Sequence, residues 1–111
     1  MSRIFPEPIL NLPEVDINLK GLKAYLLQGE YCQIIFIEFK EDVNIPEHVH
    51  ESQWEIVIEG KVDLYENGIK KTYKKGERFY IPKDVKHSAK VYAGYASIVF
   101  FNQKDWYMEK K

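Results

Sequence analysis

The chain contains three histidines, His48, His50 and His87, and imidazole is the side chain best suited to hold a borderline divalent metal at neutral pH. Two of them stand at positions i and i+2 in Pro46-Glu47-His48-Val49-His50. On a strand that spacing puts both rings on one face, a pleat apart, where they can share an ion without distorting the backbone. By itself the pair does not separate a metal site from ordinary surface or core histidines. The single cysteine, Cys32, excludes an internal disulfide and any thiolate cluster, and its place in an apolar run reads as a buried, inert thiol.

The elements that must carry these residues read as β almost throughout. Lys23–Leu27 and Tyr31–Lys40 are rich in aromatic and β-branched residues, with Gln28-Gly29-Glu30 between them as a turn. Trp54–Ile58, Lys61–Glu66 and Ile69–Lys74 continue the series, and Asn67-Gly68 is a strong hairpin signal because both residues tolerate positive φ. Phe79–Ile81, His87–Ala93 and Tyr95–Phe101 complete it. About eight or nine short strands without an amphipathic helix predict an all-β fold, a single-domain jelly-roll β-barrel. The expected division is an arm over residues 1–22, a barrel over about 23–101 and a tail over 102–111. The arm holds Pro6, Pro8 and Pro13 and is expected to be extended, with no long helix. Both faces of Tyr31–Phe39 are largely apolar, so its outer face is expected to pack on a second subunit, as a homodimer, or under the arm.

The pattern around the histidines resembles the cupin superfamily. The first cupin motif reads here as His48-Val49-His50, then Gln53, then Gly60. The second reads as Gly76, Pro82 and His87. All three histidines fall where the family places its histidine ligands, and the likeness covers about residues 30–101. The resemblance implies a metal on His48, His50, His87 and a fourth ligand at Gln53, where most members carry Glu. The implied cofactor is one divalent transition ion: zinc, iron, manganese, nickel or copper. Asp42, Asp84 and Val91 depart from the Gly, Gly and Asn of the motifs, and none of these removes a histidine.

An amide in place of Glu leaves the ion its full charge, which strengthens it as a Lewis acid toward anionic oxygens. Gln53 is either a ligand or an amide that orients an imidazole or a water. Continuing the strand from Gln53 puts Glu55 and Val57 on the same face, so Glu55 is expected to point into the cavity. It is a candidate general base, an alternative acidic ligand, or a mouth residue paired with a lysine. Tyr80, close to Pro82 in the second motif, is the first choice for a substrate-binding hydroxyl, with Trp54, Tyr92 and Tyr95 as further candidates for lining a pocket.

Formal net charge is −1 and no basic stripe is present, which argues against nucleic acid or an anionic membrane as partner. No run of about 18 apolar residues occurs, and MSRIFPEPIL lacks a signal peptide's apolar stretch, so the cytoplasm is the expected location. The expected function is that of a metal-dependent enzyme on a small carbonyl, carboxylate or sugar-derived substrate. The alternative is a module that binds or senses such a ligand without turning it over.

Overall fold

Nine strands build the protein in the computed structural model, which describes residues 4–110: β1 (Leu22–Gln28), β2 (Gln33–Phe39), β3 (Val43–His48), β4 (Gln53–Glu59), β5 (Lys61–Glu66), β6 (Ile69–Lys74), β7 (Arg78–Ile81), β8 (His87–Val91) and β9 (Ala96–Phe101). They pair antiparallel in two sheets, ordered β1-β2-β9-β4-β7 and β3-β8-β5-β6. Neighbours such as β2 with β9 and β3 with β8 are distant in sequence, which is the jelly-roll pattern the alternating strands predict. The arm carries a four-residue helix, α1 (Glu7–Leu10), entered through Pro6. Among the described residues no helix is long and apolar enough to cross a membrane.

Period-two alternation fills the space between the sheets. β2 sends Gln33, Ile35, Ile37 and Phe39 inward, β4 sends Gln53, Glu55 and Val57, and β7 sends Phe79 and Ile81. Val62 and Leu64 of β5 and Val91 of β8 close the core from the other sheet. Burial of each Val, Ile or Phe there contributes about 1.5–3 kcal/mol over leaving it exposed. Asn67 and Gly68 both adopt positive φ, 50° and 75°, and turn β5 into β6 as expected. At Gly60 a Cβ would lie 2.8 Å from the Tyr95 Cα, so the β4–β5 corner needs glycine to approach the Gly94-Tyr95 turn.

The outer face of the five-stranded sheet carries one continuous apolar row. Leu27, Ile34, Phe100, Trp54 and Tyr80 are cross-strand partners in succession from β1 to β7. The arm covers only a neighbouring part of this face, where Phe5 packs edge-on against Phe36 at 5.8 Å. Cys32 lies just ahead of β2 and is half-buried, so the expectation of a fully buried thiol is corrected. The strand begins one residue later, and the Cys32 carbonyl closes the turn to the Gly29 N–H at 2.9 Å.

Both chain ends fold over one mouth of the barrel. Val15 bridges Glu109, the Asp16 N–H donates to Met108 O at 2.8 Å, and Lys110 pairs with Glu14 at 2.8 Å. Gln33, fully buried at 0% exposure, uses its side-chain amide as a clamp. Its Nε2 donates to Tyr107 O and its Oε1 accepts the Tyr107 N–H, both at 2.8 Å. A side chain satisfying both backbone groups of one residue fixes that residue as a paired strand would.

Candidate metal centre

His48 and His87 face each other as a cross-strand pair of β3 and β8. The register slips between Ile45 and His48, and β3 ends at His48, so His50 lies beyond the strand. The expectation that one regular strand carries both His48 and His50 is therefore corrected. The irregular stretch around Pro46, which cannot donate to the ladder, swings His50 in from the side. The Asp84 N–H donates to His50 O at 3.2 Å and Lys83 pairs with Glu51 at 3.3 Å, so the two histidine-bearing segments are tied together.

The three rings form a tight triangle, with centroids 5.0 Å (His48–His50), 4.2 Å (His48–His87) and 4.7 Å (His50–His87) apart. One ring nitrogen from each lies within 4.8 Å of the others. Every Nδ1 meets a backbone carbonyl: Pro46 O at 2.8 Å, Glu51 O at 2.6 Å and Val85 O at 2.9 Å. A carbonyl only accepts, so each Nδ1 carries a proton, and Nε2 is the nitrogen that each ring, when neutral, offers to a metal. This is the second-partner arrangement that orients metal-binding imidazoles. Burial lowers the pKa of His50 to about 4, against the pull of the Glu51 carbonyl, and lowers that of His87 as well. Both rings are neutral at pH 7, the form a metal requires. His50 Nε2 is buried with no hydrogen-bond partner, an arrangement that costs free energy unless something occupies it. The donor set fits a divalent transition ion.

Below the triangle lies a cavity of about 110 Å³ that His48, His87, Gln53, Glu55, Tyr95 and Tyr107 share with apolar core residues. Glu55 points inward, as the strand alternation from Gln53 requires, and is buried. Gln53 Nε2 donates to its Oε1 at 2.7 Å and the Tyr95 hydroxyl donates to its Oε2. Ser97 Oγ stands beside it, buried and without a hydrogen bond of normal geometry. Desolvation raises the Glu55 pKa, outweighing these polar neighbours. Burial also raises the pKa of the Tyr95 and Tyr107 hydroxyls, with the Glu55 carboxyl adding to both. Glu55 is thus an interior acid and not a mouth residue paired with a lysine.

Tyr80 is not brought to this cavity: it is 58% exposed on the outer face of β7, opposite Trp54. Phe79 and Ile81 take the inward positions beside it, so the cavity hydroxyls are those of Tyr95 and Tyr107. Tyr92 also lies outside, just past the end of β8, where its hydroxyl donates to Asp63 at 2.6 Å and its pKa is raised to about 12 by that carboxylate. The tail supplies residues that carried no sequence signal for the site. Trp106 stacks near His48 at 6.2 Å and meets His50 edge-on at 5.1 Å, and Tyr107 reaches the cavity wall.

Solved structures share this architecture. An RmlC-like cupin from Shewanella frigidimarina is similar at a TM-score of 0.75 and 23% identity, over 96% of this chain and 95% of that one. KdgF from a Halomonas species is similar at a TM-score of 0.69 and 18% identity, over 82% of this chain and 89% of that one. Oxalate decarboxylase from Bacillus subtilis, described with Mn(II) centres, is similar at 0.73 and 18% identity; 88% of this chain matches 29% of that longer one. No curated protein matches the chain in sequence. The cupin domain matches residues 35–96, more than half of the chain and both histidine-bearing segments, and the chain belongs to that family.

Proposed function

We propose that the protein is a metal-dependent enzyme acting on a small carbonyl, carboxylate or sugar-derived compound. One observation carries this reading: three imidazoles whose ring nitrogens lie within 4.8 Å of one another adjoin a small cavity that His48 and His87 share with the buried carboxyl of Glu55. His48, His50 and His87 would hold the ion, with Gln53 offering an amide oxygen as fourth ligand. The bound ion supplies Lewis-acid polarisation of a substrate oxygen. Manganese, named for the oxalate decarboxylase relative, suits such a set, as do zinc, iron, nickel and copper.

Glu55 exchanges a proton with the carbon or oxygen next to the polarised group. Its raised pKa brings it toward the range where a carboxyl works as both acid and base. Tyr95 and Gln53 hold the carboxyl in one orientation. Ser97 Oγ, buried beside the carboxyl, is placed to accept a hydrogen bond from its O–H when Glu55 is neutral.

The test is deuterium exchange at the carbon beside the carbonyl of pyruvate and related 2-oxo acids, followed by NMR in D₂O with metal-loaded protein. Glu55→Gln is expected to keep its metal and lose about 10²- to 10⁴-fold in exchange rate. The second reading is a binding module, favoured by the hydrogen bonds that engage both Glu55 oxygens. Tight binding of the same acids with no exchange identifies it.

A further inference from the structure

A second cavity lies against the metal centre, where the arm and the tail meet the edge of the core at Ile37 and Phe39. It measures about 210 Å³ and is walled by Ile17, Leu19 and Leu22 from the arm and β1, Ile45 from β3, and Trp106 from the tail. His48 is the residue through which it meets the histidine triangle, and Ile37, Phe39, Ile45, His48 and Tyr107 border both cavities. Apart from His48 and Tyr107, no lining side chain offers a polar group with more than an indole N–H.

We propose that this chamber takes the apolar portion of the ligand, a phenyl ring or branched alkyl group, while the ligand's oxygen end sits at the three histidines. The inference rests on the metal-centre reading above and names the class of compound that fits it. Size supports it, because an apolar cavity of about 150 Å³ is enough to hold benzene. Construction supports it too. The chamber's outer wall exists because Trp106 and Tyr107 are pinned over the mouth. Gln33 fixes Tyr107 through two 2.8 Å hydrogen bonds, and Gln28 Nε2 donates to Lys104 O at 2.9 Å. The arm wall is held to the tail through Val15 and Glu109. A purely hydrophilic sugar acid would leave Ile17, Leu19 and Leu22 facing water or an apolar void.

The experiment compares pyruvate with phenylpyruvate on the zinc-loaded protein by calorimetry and methyl NMR. Phenylpyruvate is expected to bind about 10- to 100-fold more tightly, the gain from burying one ring. Its binding should shift the methyl signals of Ile17, Leu19 and Ile45, and pyruvate should leave those of Ile17 and Leu19 in place. Leu19→Phe fills the chamber and is expected to abolish the preference while keeping pyruvate affinity. Benzene added to metal-free protein should shift the same methyls, a readout independent of the ion. If zinc and pyruvate both bind and phenylpyruvate gains nothing, the chamber proposal alone fails. A preference that survives in Leu19→Phe overturns it equally. If neither zinc nor pyruvate binds, the metal-centre reading fails and takes the proposal with it.

Discussion

Gln53 and Glu55 stand two residues apart on β4 with both side chains in one cavity, and the Gln53 amide nitrogen donates to Glu55 Oε1 at 2.7 Å. The contact orients the amide. With Nε2 spent on the carboxyl, the carbonyl oxygen is the atom Gln53 can offer elsewhere. Gln53→Ala is expected to leave Glu55 Oε1 without that donor and to cost about 1–3 kcal/mol in the metal-free protein, read by chemical denaturation. Gln53→Glu sets two carboxyls within hydrogen-bonding distance, and carboxyl NMR should find one of them protonated well above the usual carboxylate range.

Stability of the metal-free protein should depend on pH through two opposed groups. The His50 pKa is about 4 in the folded chain against an ordinary 6.5, so the unfolded chain binds the extra proton between those values. Its contribution is complete above about 6.5 and is lost as pH falls toward 4. His87 acts in the same sense. Glu55 acts in the other, because its raised pKa keeps a proton the unfolded chain releases from 4.5 upward, so its contribution declines as pH rises. Glu55→Gln should therefore melt higher than the parent at pH 7, with the gap closing toward pH 4. Equal melting temperatures at pH 7 would contradict a buried, desolvated carboxyl.

His87 approaches from β8 while His48 and His50 come from β3 and the turn beyond it. His87→Ala should cut metal affinity at least 100-fold, measured by competition with a chelator dye. Ion present at 100 times its dissociation constant stabilises the parent by about 2.7 kcal/mol, and most of that should vanish in the variant. Circular dichroism should still report a folded barrel, since the core packs without the metal.

The apolar row Leu27-Ile34-Phe100-Trp54-Tyr80 motivates a homodimer joined through the five-stranded sheet. Sedimentation at micromolar concentration should give a dimer for the parent and a monomer for Trp54→Glu, with metal binding unchanged. A parent that sediments as a monomer rejects this face as the interface.

The strands and the histidine triad were legible in the sequence for different reasons. Alternation on β4 aimed Glu55 inward because Val57 shares its parity. The same rule, applied to β7, would have turned Tyr80 outward: it shares parity with the charged Arg78, while Phe79 and Ile81 take the core positions. Proximity to a motif proline was the weaker guide. His50 was placed correctly beside His48 through a strand that does not extend to it, because spacing cannot foresee a register shift. Trp106 and Tyr107 were illegible. They lie in a tail without periodicity, and what positions them is a glutamine 74 residues away from Tyr107.

The seam between arm and tail joins Glu14 to Lys110, 96 positions apart, through few hydrogen bonds and an exposed ion pair. Closing so long a loop is entropically costly and gains little surface until the barrel beneath exists. The seam should therefore form last in folding and open first in the native state. Amide exchange ought to show Asp16 and Lys110 losing protection through a local opening, while Ile35 and Val99 exchange only on global unfolding. The barrel then acts as the slow, permanent part of the molecule and the Glu14–Lys110 seam as a fast-breathing latch beside it.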